Sequence, residues 1–319
     1  MAARTAAPGP AAAAAAAAAT LPERIVFLGF GLIGGSIALA LREAGVKARL
    51  VAWTPEGAGP AEGLRRGILD AAPRNPATAL EGAGLVILAG PPRSVVAHLQ
   101  HLGGPMRRVL TAETTVTDVA STKALIVATA QDLGIPFVGG HPMAGRETTG
   151  VGAATAELFV DRPWVVIPAA GTPDRDVDRV RALATATGAR PVAMTADDHD
   201  VAVAAISHLP LVASVALVES VAADASRWEV ASSLAAGGWR DMTRLARGDE
   251  RMGADIIATN AGPLARQLRA YRDVIDGWLA RLDAMTDEAQ PEEPSDATVV
   301  DLRERLEAAR ATLERGPRP

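Results

Sequence analysis

The chain has no cysteine, which removes disulfides, thiolate nucleophiles and cysteine-ligated zinc together. Lysine is scarce as well, with only Lys47 and Lys123 among 319 residues. The 32 Lys+Arg stand against 37 Asp+Glu for a net charge of −5, so the basic footprint of a nucleic-acid binder is missing. Five histidines without an H-E-x-x-H pair give no reason to expect a metal site. Two uncharged stretches imitate export or membrane signals. The alanine run Ala11–Ala19 is expected to be a low-complexity, disordered extension covering residues 1–23. Ile25–Leu41 falls short of the roughly 20 residues a spanning helix needs, and it is broken by Gly29, Gly31, Gly34 and Gly35. A cytoplasmic protein without a membrane or nucleic-acid partner is the expectation.

With 49% apolar residues, 319 residues suffice for about two domains and an enclosed site. Apolar runs at 24–29, Arg49–Trp53, Leu85–Ala89, Thr115–Val119, Phe137–Gly139, Trp164–Ile167 and Arg190–Met194 read as strands. Helical patterns lie between them at Ile33–Ala44, Ser121–Leu133 and Asp174–Thr187. This alternation predicts an α/β fold, a Rossmann-type, doubly wound, mostly parallel sheet over residues 24–195. Beyond Thr195 the strand signals stop. Helices are predicted at Asp197–Ala223, Glu229–Ala236 and Pro263–Ala284, an all-helical second domain over 196–285, followed by a linker and terminal helix at 286–319. Leu264, Leu268, Tyr271, Ile275, Trp278 and Leu282 recur every three or four residues, a seam that needs a partner inside its own domain or on another subunit.

Gly29-Phe-Gly31-Leu-Ile-Gly34 fits G-x-G-x-x-G between a strand and a helix. There Gly29 permits the tight turn, Gly31 lets a pyrophosphate reach the backbone, and Gly34 lets helix and strand pack closely. The expected cofactor contacts are Gly29, Gly31, Leu32, Ile33 and Gly34, with Thr54 after the second strand and Pro91 after the third. The acidic residue that usually closes the second strand of NAD-binding sheets is replaced by Trp53-Thr54-Pro55, and no arginine directly follows for a 2′-phosphate. NAD is the expected cofactor, with NADP left open.

Three polar clusters remain: Thr117–Lys123 (TDVASTK), Gly139–Glu147 (GGHPMAGRE) and Ser207–Pro210 (SHLP). The first two fall at carboxyl ends of strands, where ligands of open α/β sheets collect. His141 is expected on a tight loop after the strand of Phe137 and Val138. Together with GFGLIGGS (Gly29–Ser36) and GGWRDMTR (Gly237–Arg244), these motifs make residues 24–285 resemble the prephenate/arogenate dehydrogenase family.

The resemblance implies NAD(P)-dependent oxidative decarboxylation of prephenate to 4-hydroxyphenylpyruvate in tyrosine biosynthesis, or of arogenate to tyrosine. A non-catalytic NAD(P)-binding sensor is the alternative outside enzymes. The resemblance also implies a homodimer through the helical domain. By it, His141 matches the catalytic histidine that takes the proton of the substrate's ring hydroxyl, and Ser121 the serine that helps hold that hydroxyl. Lys123 closes the same motif. Arg240 matches the arginine that binds a substrate carboxylate, Glu147 an acid near the entrance, and His208 a pocket histidine. Leu211 stands where relatives often have another histidine, and Arg146 where some have a small hydroxyl residue, so Arg146 could supply the lost carboxylate contact. His199 also fits a family position, but it lies nine residues from His208, about 180° around an ideal helix. Either one of the two points away or Pro210 distorts the local geometry. Residues 286–319 are too few for the ACT regulatory domain some relatives carry.

Overall fold

Residues 24–28 (RIVFL) and 85–88 (LVIL) are apolar without interruption after Arg24, as strands covered on both faces must be. Alternate side chains serve two cores. Ile25, Phe27, Leu85 and Ile87 enter one, Val26, Leu28, Val86 and Leu88 the other. Each side chain so buried contributes about 1.5–3 kcal/mol.

The computed structural model describes residues 9–146, 148–286 and 296–316. The chain divides into two compact units between Ala265 and Arg266. The first runs α1 (Pro10–Ala18), β1 (Arg24–Leu28), α2 (Leu32–Glu43), β2 (Arg49–Trp53), α3 (Ala58–Arg65), α4 (Pro76–Leu80), β3 (Leu85–Leu88), α5 (Pro92–Gly103), β4 (Thr115–Asp118), α6 (Ala124–Asp132), β5 (Phe137–Pro142), β6 (Pro163–Pro168), α7 (Asp174–Ala186) and β7 (Arg190–Ala193). Helices follow: α8 (Ala196–Val203), a π turn (Ala204–His208), α9 (Leu209–Ala222), α10 (Ala225–Ser233), α11 (Gly237–Met242) and α12 (Glu250–Thr259). Helix α13 (Ala261–Thr286) leads into the second unit, which ends with α14 (Asp296–Arg315).

The seven strands are ordered β2-β1-β3-β4-β5-β6-β7, with β5–β6 the one antiparallel pair. The order reverses between β1 and β3, which makes the loops after these two strands the place where an open α/β sheet takes a ligand. The mostly parallel, doubly wound reading therefore holds, and helices follow β7.

Four local expectations are corrected. The alanine run forms α1, with Pro10 in its first turn, and lies on α7, where Ala18 joins the core. Alanine is the best helix former, and its small side chain allows the close approach. Strand β5 extends to Pro142, so His141 sits on a strand, paired with Val165, and not on a loop. The antiparallel β6 prolongs the ladder past the point where the apolar run ends. Helix α6 starts at Ala124, leaving Ser121 and Lys123 on the turn before it. Finally, the predicted 197–223 helix is interrupted by the π turn, just before Pro210. Proline lacks the N–H that a regular ladder would use there, and a π turn accommodates the loss.

Candidate active site

The glycine turn has the geometry its sequence requires. Gly29 has φ +101°, and a Cβ there would lie 2.4 Å from the Ala89 carbonyl oxygen, so the loops after β1 and β3 touch. At Gly34 a Cβ would come within 3.2 Å of the Gly29 oxygen. Gly31, in contrast, faces open space, with none of the described residues within 4 Å of a Cβ. It precedes Leu32 and Ile33, the first residues of α2, whose unpaired N–H groups and positive dipole end suit an anion. A dinucleotide pyrophosphate fits this cradle. Pro91 caps α5 across the switch point, while the Thr54 hydroxyl accepts a bond from Gly57 N at 3.0 Å and shapes the turn after β2.

The second half of the site lies at the ends of β4 and β5. A Cβ on Gly140 would stand 2.5 Å from the Asp118 carbonyl oxygen, and one on Gly139 would stand 3.3 Å from Lys123 Cδ. The two glycines before His141 thus let a buried ion pair lie against the strand. Asp118 Oδ1 accepts from Gly140 N at 3.0 Å, Oδ2 accepts from Ala120 N at 2.9 Å, and Lys123 Nζ binds the same Oδ2. Both side chains are fully buried. Burial pushes the carboxyl up and the ammonium down, and their mutual attraction opposes both shifts.

Helix α8 closes the site from the other side. His199 and Asp200 are buried, and Asp200 caps α6: Oδ1 accepts from Lys123 N and Oδ2 from Ala124 N, each at 2.8 Å. His199 Nδ1 lies 2.8 Å from Asp200 Oδ1, and its Nε2 lies 2.8 Å from His141 Nδ1. The two rings meet edge to face at 5.0 Å. Asn260 Nδ2 donates to the Asp200 carbonyl at 2.8 Å and reaches His208 Nδ1 at 3.0 Å. Among the described residues, His208 Nε2 is buried without a partner.

The nine-residue spacing of His199 and His208 is reconciled by the π turn. It inserts one residue, so that nine positions span an arc closer to that of eight, and both rings are buried and coupled through Asp200 and Asn260. His141 is half-buried. Burial first, then the nearby His199, Lys123 and His208, hold its pKa well below the ordinary 6.5. Burial likewise lowers His208 to about 4, with Asp200 opposing and His199 reinforcing the shift.

Not every expected residue joins this cluster. Lys123 does, with its ammonium buried and bound to Asp118, from where its charge acts on His141. Ser121 is half-buried on the same turn, and among the described residues no hydrogen bond joins it to His141. Arg146 is exposed and lines a hollow of about 340 Å³ beyond β5, together with Glu157 and Arg162. Arg240 is exposed on α11 and lines a separate hollow of about 240 Å³ with Trp228, Trp239 and Arg247, unconnected to His141 by any hydrogen bond or ion pair found among the described residues. Glu147 lies outside the described residues. Asp118, Asp200 and Asn260 were not singled out from sequence. The adjacent His199-Asp200 pair, placed two turns before SHLP, was the available signal.

Residues 37–193 match the model of the prephenate dehydrogenase nucleotide-binding domain, and residues 195–293 that of the prephenate dehydrogenase dimerization domain. The chain belongs to the prephenate dehydrogenase family. The boundary between the two family domains coincides with the change from strands to helices. Prephenate dehydrogenase of Bacillus subtilis is 30% identical over 267 residues, covering 82% of this chain and 69% of the relative. The crystal structure of Synechocystis arogenate dehydrogenase is 28% identical with a TM-score of 0.72, covering 91% of this chain and 99% of that one. Prephenate dehydrogenase from A. aeolicus, solved with hydroxyphenyl propionate and NAD+, shares the fold at 22% identity and a TM-score of 0.77, over 91% of this chain and 98% of that one. His141 falls within the match to the nucleotide-binding domain, and His199, Asp200 and His208 within the match to the dimerization domain, while the glycine cradle at Gly29–Gly34 immediately precedes the first match.

Proposed function

We propose that the protein converts prephenate to 4-hydroxyphenylpyruvate with NAD+ as oxidant, in tyrosine biosynthesis, with His141 as the general base. The observation that carries this reading is the placement of His141. Its Nδ1 is engaged by His199, its ring is half-buried at the carboxyl end of β5, and among the described residues none bonds Nε2. Gly31 and the α2 N-terminus would hold the pyrophosphate, and bound NAD+ supplies the hydride acceptor. As hydride leaves the carbinol carbon of the cyclohexadienol, His141 Nε2 would take the hydroxyl proton and leave a ring carbonyl; departure of the ring carboxylate as CO₂ would then make the ring an aromatic phenolate, to which the proton returns. Arg240, which lines its own hollow outside the His141 cluster, is assigned a substrate carboxylate by the family resemblance, a task for which a planar guanidinium is suited. Arogenate is a second reading, supported by the likeness to the Synechocystis enzyme.

One assay separates these readings: purified protein with prephenate or arogenate, each with NAD+ or NADP+, followed at 340 nm. Prephenate with NAD+ should give the highest kcat/KM. A higher value with arogenate reassigns the substrate, a hundredfold preference for NADP+ reassigns the cofactor, and no reduction in any combination leaves a nucleotide-binding protein without this chemistry. His141→Asn should lower kcat by about 10²- to 10⁴-fold, the span of a positioned general base, with NAD+ affinity kept. Arg240→Ala should chiefly raise KM.

A further inference from the structure

We propose that Asp200 and His199 are positioning residues which fix His141 as the Nδ1–H tautomer, so that Nε2 is its proton-accepting atom. The inference deepens the proposed role of His141 as base and rests on it.

The direction of each hydrogen bond follows from groups that can act in one way only. Backbone N–H groups donate, and those of Lys123 and Ala124 point at the two oxygens of Asp200. Both belong to the N-terminus of α6, where a negative charge is favoured, so Asp200 is an acceptor on both oxygens. His199 Nδ1, 2.8 Å from Oδ1, must therefore donate. A neutral imidazole carries one N–H, which leaves His199 Nε2 with a lone pair. That lone pair faces His141 Nδ1 at 2.8 Å, so His141 Nδ1 donates in turn and its own lone pair is on Nε2. With the opposite tautomer, His141 would present an N–H to the ring hydroxyl and could not take its proton.

The same logic fixes the third ring. The Asp200 carbonyl accepts only, so the Asn260 group beside it is the amide NH₂, which also donates to His208 Nδ1. His208 then carries its proton on Nε2, the buried nitrogen without a partner among the described residues. Asp200 thus sets His141 through its side chain and His208 through its backbone, and the two rings have opposite tautomers: a bare nitrogen on one, an N–H on the other. A protonated His199 would reverse the bond to His141, and this is the competing arrangement.

Nitrogen-15 NMR of the full-length protein, labelled in its five histidines and recorded near pH 7.5 with and without NAD+, reads the arrangement directly. His141 and His199 should show protonated Nδ1 and bare Nε2, and His208 the reverse; a wild-type His141 protonated on Nε2 overturns the proposal. Asp200→Asn replaces one acceptor oxygen by an NH₂, and with its oxygen kept on the α6 cap at Ala124 N the NH₂ stands opposite His199 Nδ1. Turnover should then fall at least a hundredfold, NAD+ affinity and substrate KM should stay within threefold, and the His141 nitrogen shifts should invert. Turnover kept within threefold in a folded Asp200→Asn protein also overturns it. Should that variant fail to fold for want of the α6 cap, His199→Leu leaves the cap in place and should lower turnover at least tenfold; unchanged turnover is the overturning result. The NMR pattern is independent of turnover, so a wild type that oxidises neither dienol would refute the proposed function while the tautomers are still read separately.

Discussion

Half-buried beside two other histidines and an ammonium group, the His141 imidazole remains neutral to lower pH than a free histidine does. A base must be neutral to take a proton, so kcat/KM should stay level as pH falls from 7.5 past 6.5 and drop only below it; an acid limb at or above pH 6.5 would contradict this assignment. Protein stability should follow the same sign. His208 has a pKa of about 4 in the folded chain against 6.5 when unfolded. Between those values the unfolded state binds more protons, so its contribution is complete above about pH 6.5 and declines as pH falls towards 4. The loss is about 3 kcal/mol at 1.36 kcal/mol per unit, and urea midpoints measured from pH 7 to 4 should record it. Lys123 shows where residue identity alone stops informing. TDVASTK marked it as a site residue, but spacing could not tell that Nζ turns inward to Asp118. Lys123→Met should cost about 3–5 kcal/mol by leaving a buried carboxylate alone, and adding Asp118→Asn should restore part of the thermal stability.

At the level of elements, the glycine turn was legible because each glycine answers a separate steric demand, and the structure separates them cleanly. Gly29→Ala forces a Cβ against the Ala89 carbonyl at positive φ and should lower the melting temperature by several degrees. Gly31→Ala meets none of the described residues, so its melting temperature should stay within about a degree of wild type, while NAD+ binding measured by calorimetry weakens at least tenfold. A Gly31→Ala protein with unimpaired NAD+ binding would remove the pyrophosphate from this cradle. Other elements were harder to read because their limits are set by partners distant in sequence. His141 is on a strand because β6 arrives antiparallel, and α6 begins late because Asp200, 76 positions onward, caps Ala124. The conflict between His199 and His208 was visible as a 180° mismatch. Its solution, a π turn beside Pro210, required the fold.

At the scale of the whole molecule, no membrane partner is expected from the sequence, and yet Ala196–Ala222 is long and apolar enough to cross a bilayer by length and composition. The same helix carries His199, Asp200 and His208, whose bonds to β5, α6 and Asn260 occupy them within the protein. A protein surface is the better partner for what remains exposed, since these residues fall in the matched dimerization domain. In the second unit, Arg281 pairs with Asp301 at 3.1 Å and Arg305 lies over the Trp278 ring at 4.5 Å, so α14 covers part of α13. The predicted seam is thus divided. Leu264 is buried, whereas Tyr271, Ile275 and Leu282 remain 40–49% exposed, beside Val274 and Leu279. Exposed apolar area of this kind marks an association surface. The full-length protein should therefore sediment at about twice its 32.8 kDa chain mass at micromolar concentration. Ile275→Asp with Leu282→Asp should shift it towards the monomer while the far-ultraviolet dichroism of the sheet and remaining helices persists. A wild type that sediments as a monomer, or a double variant that dimerises as tightly as the wild type, would take this face out of the assembly.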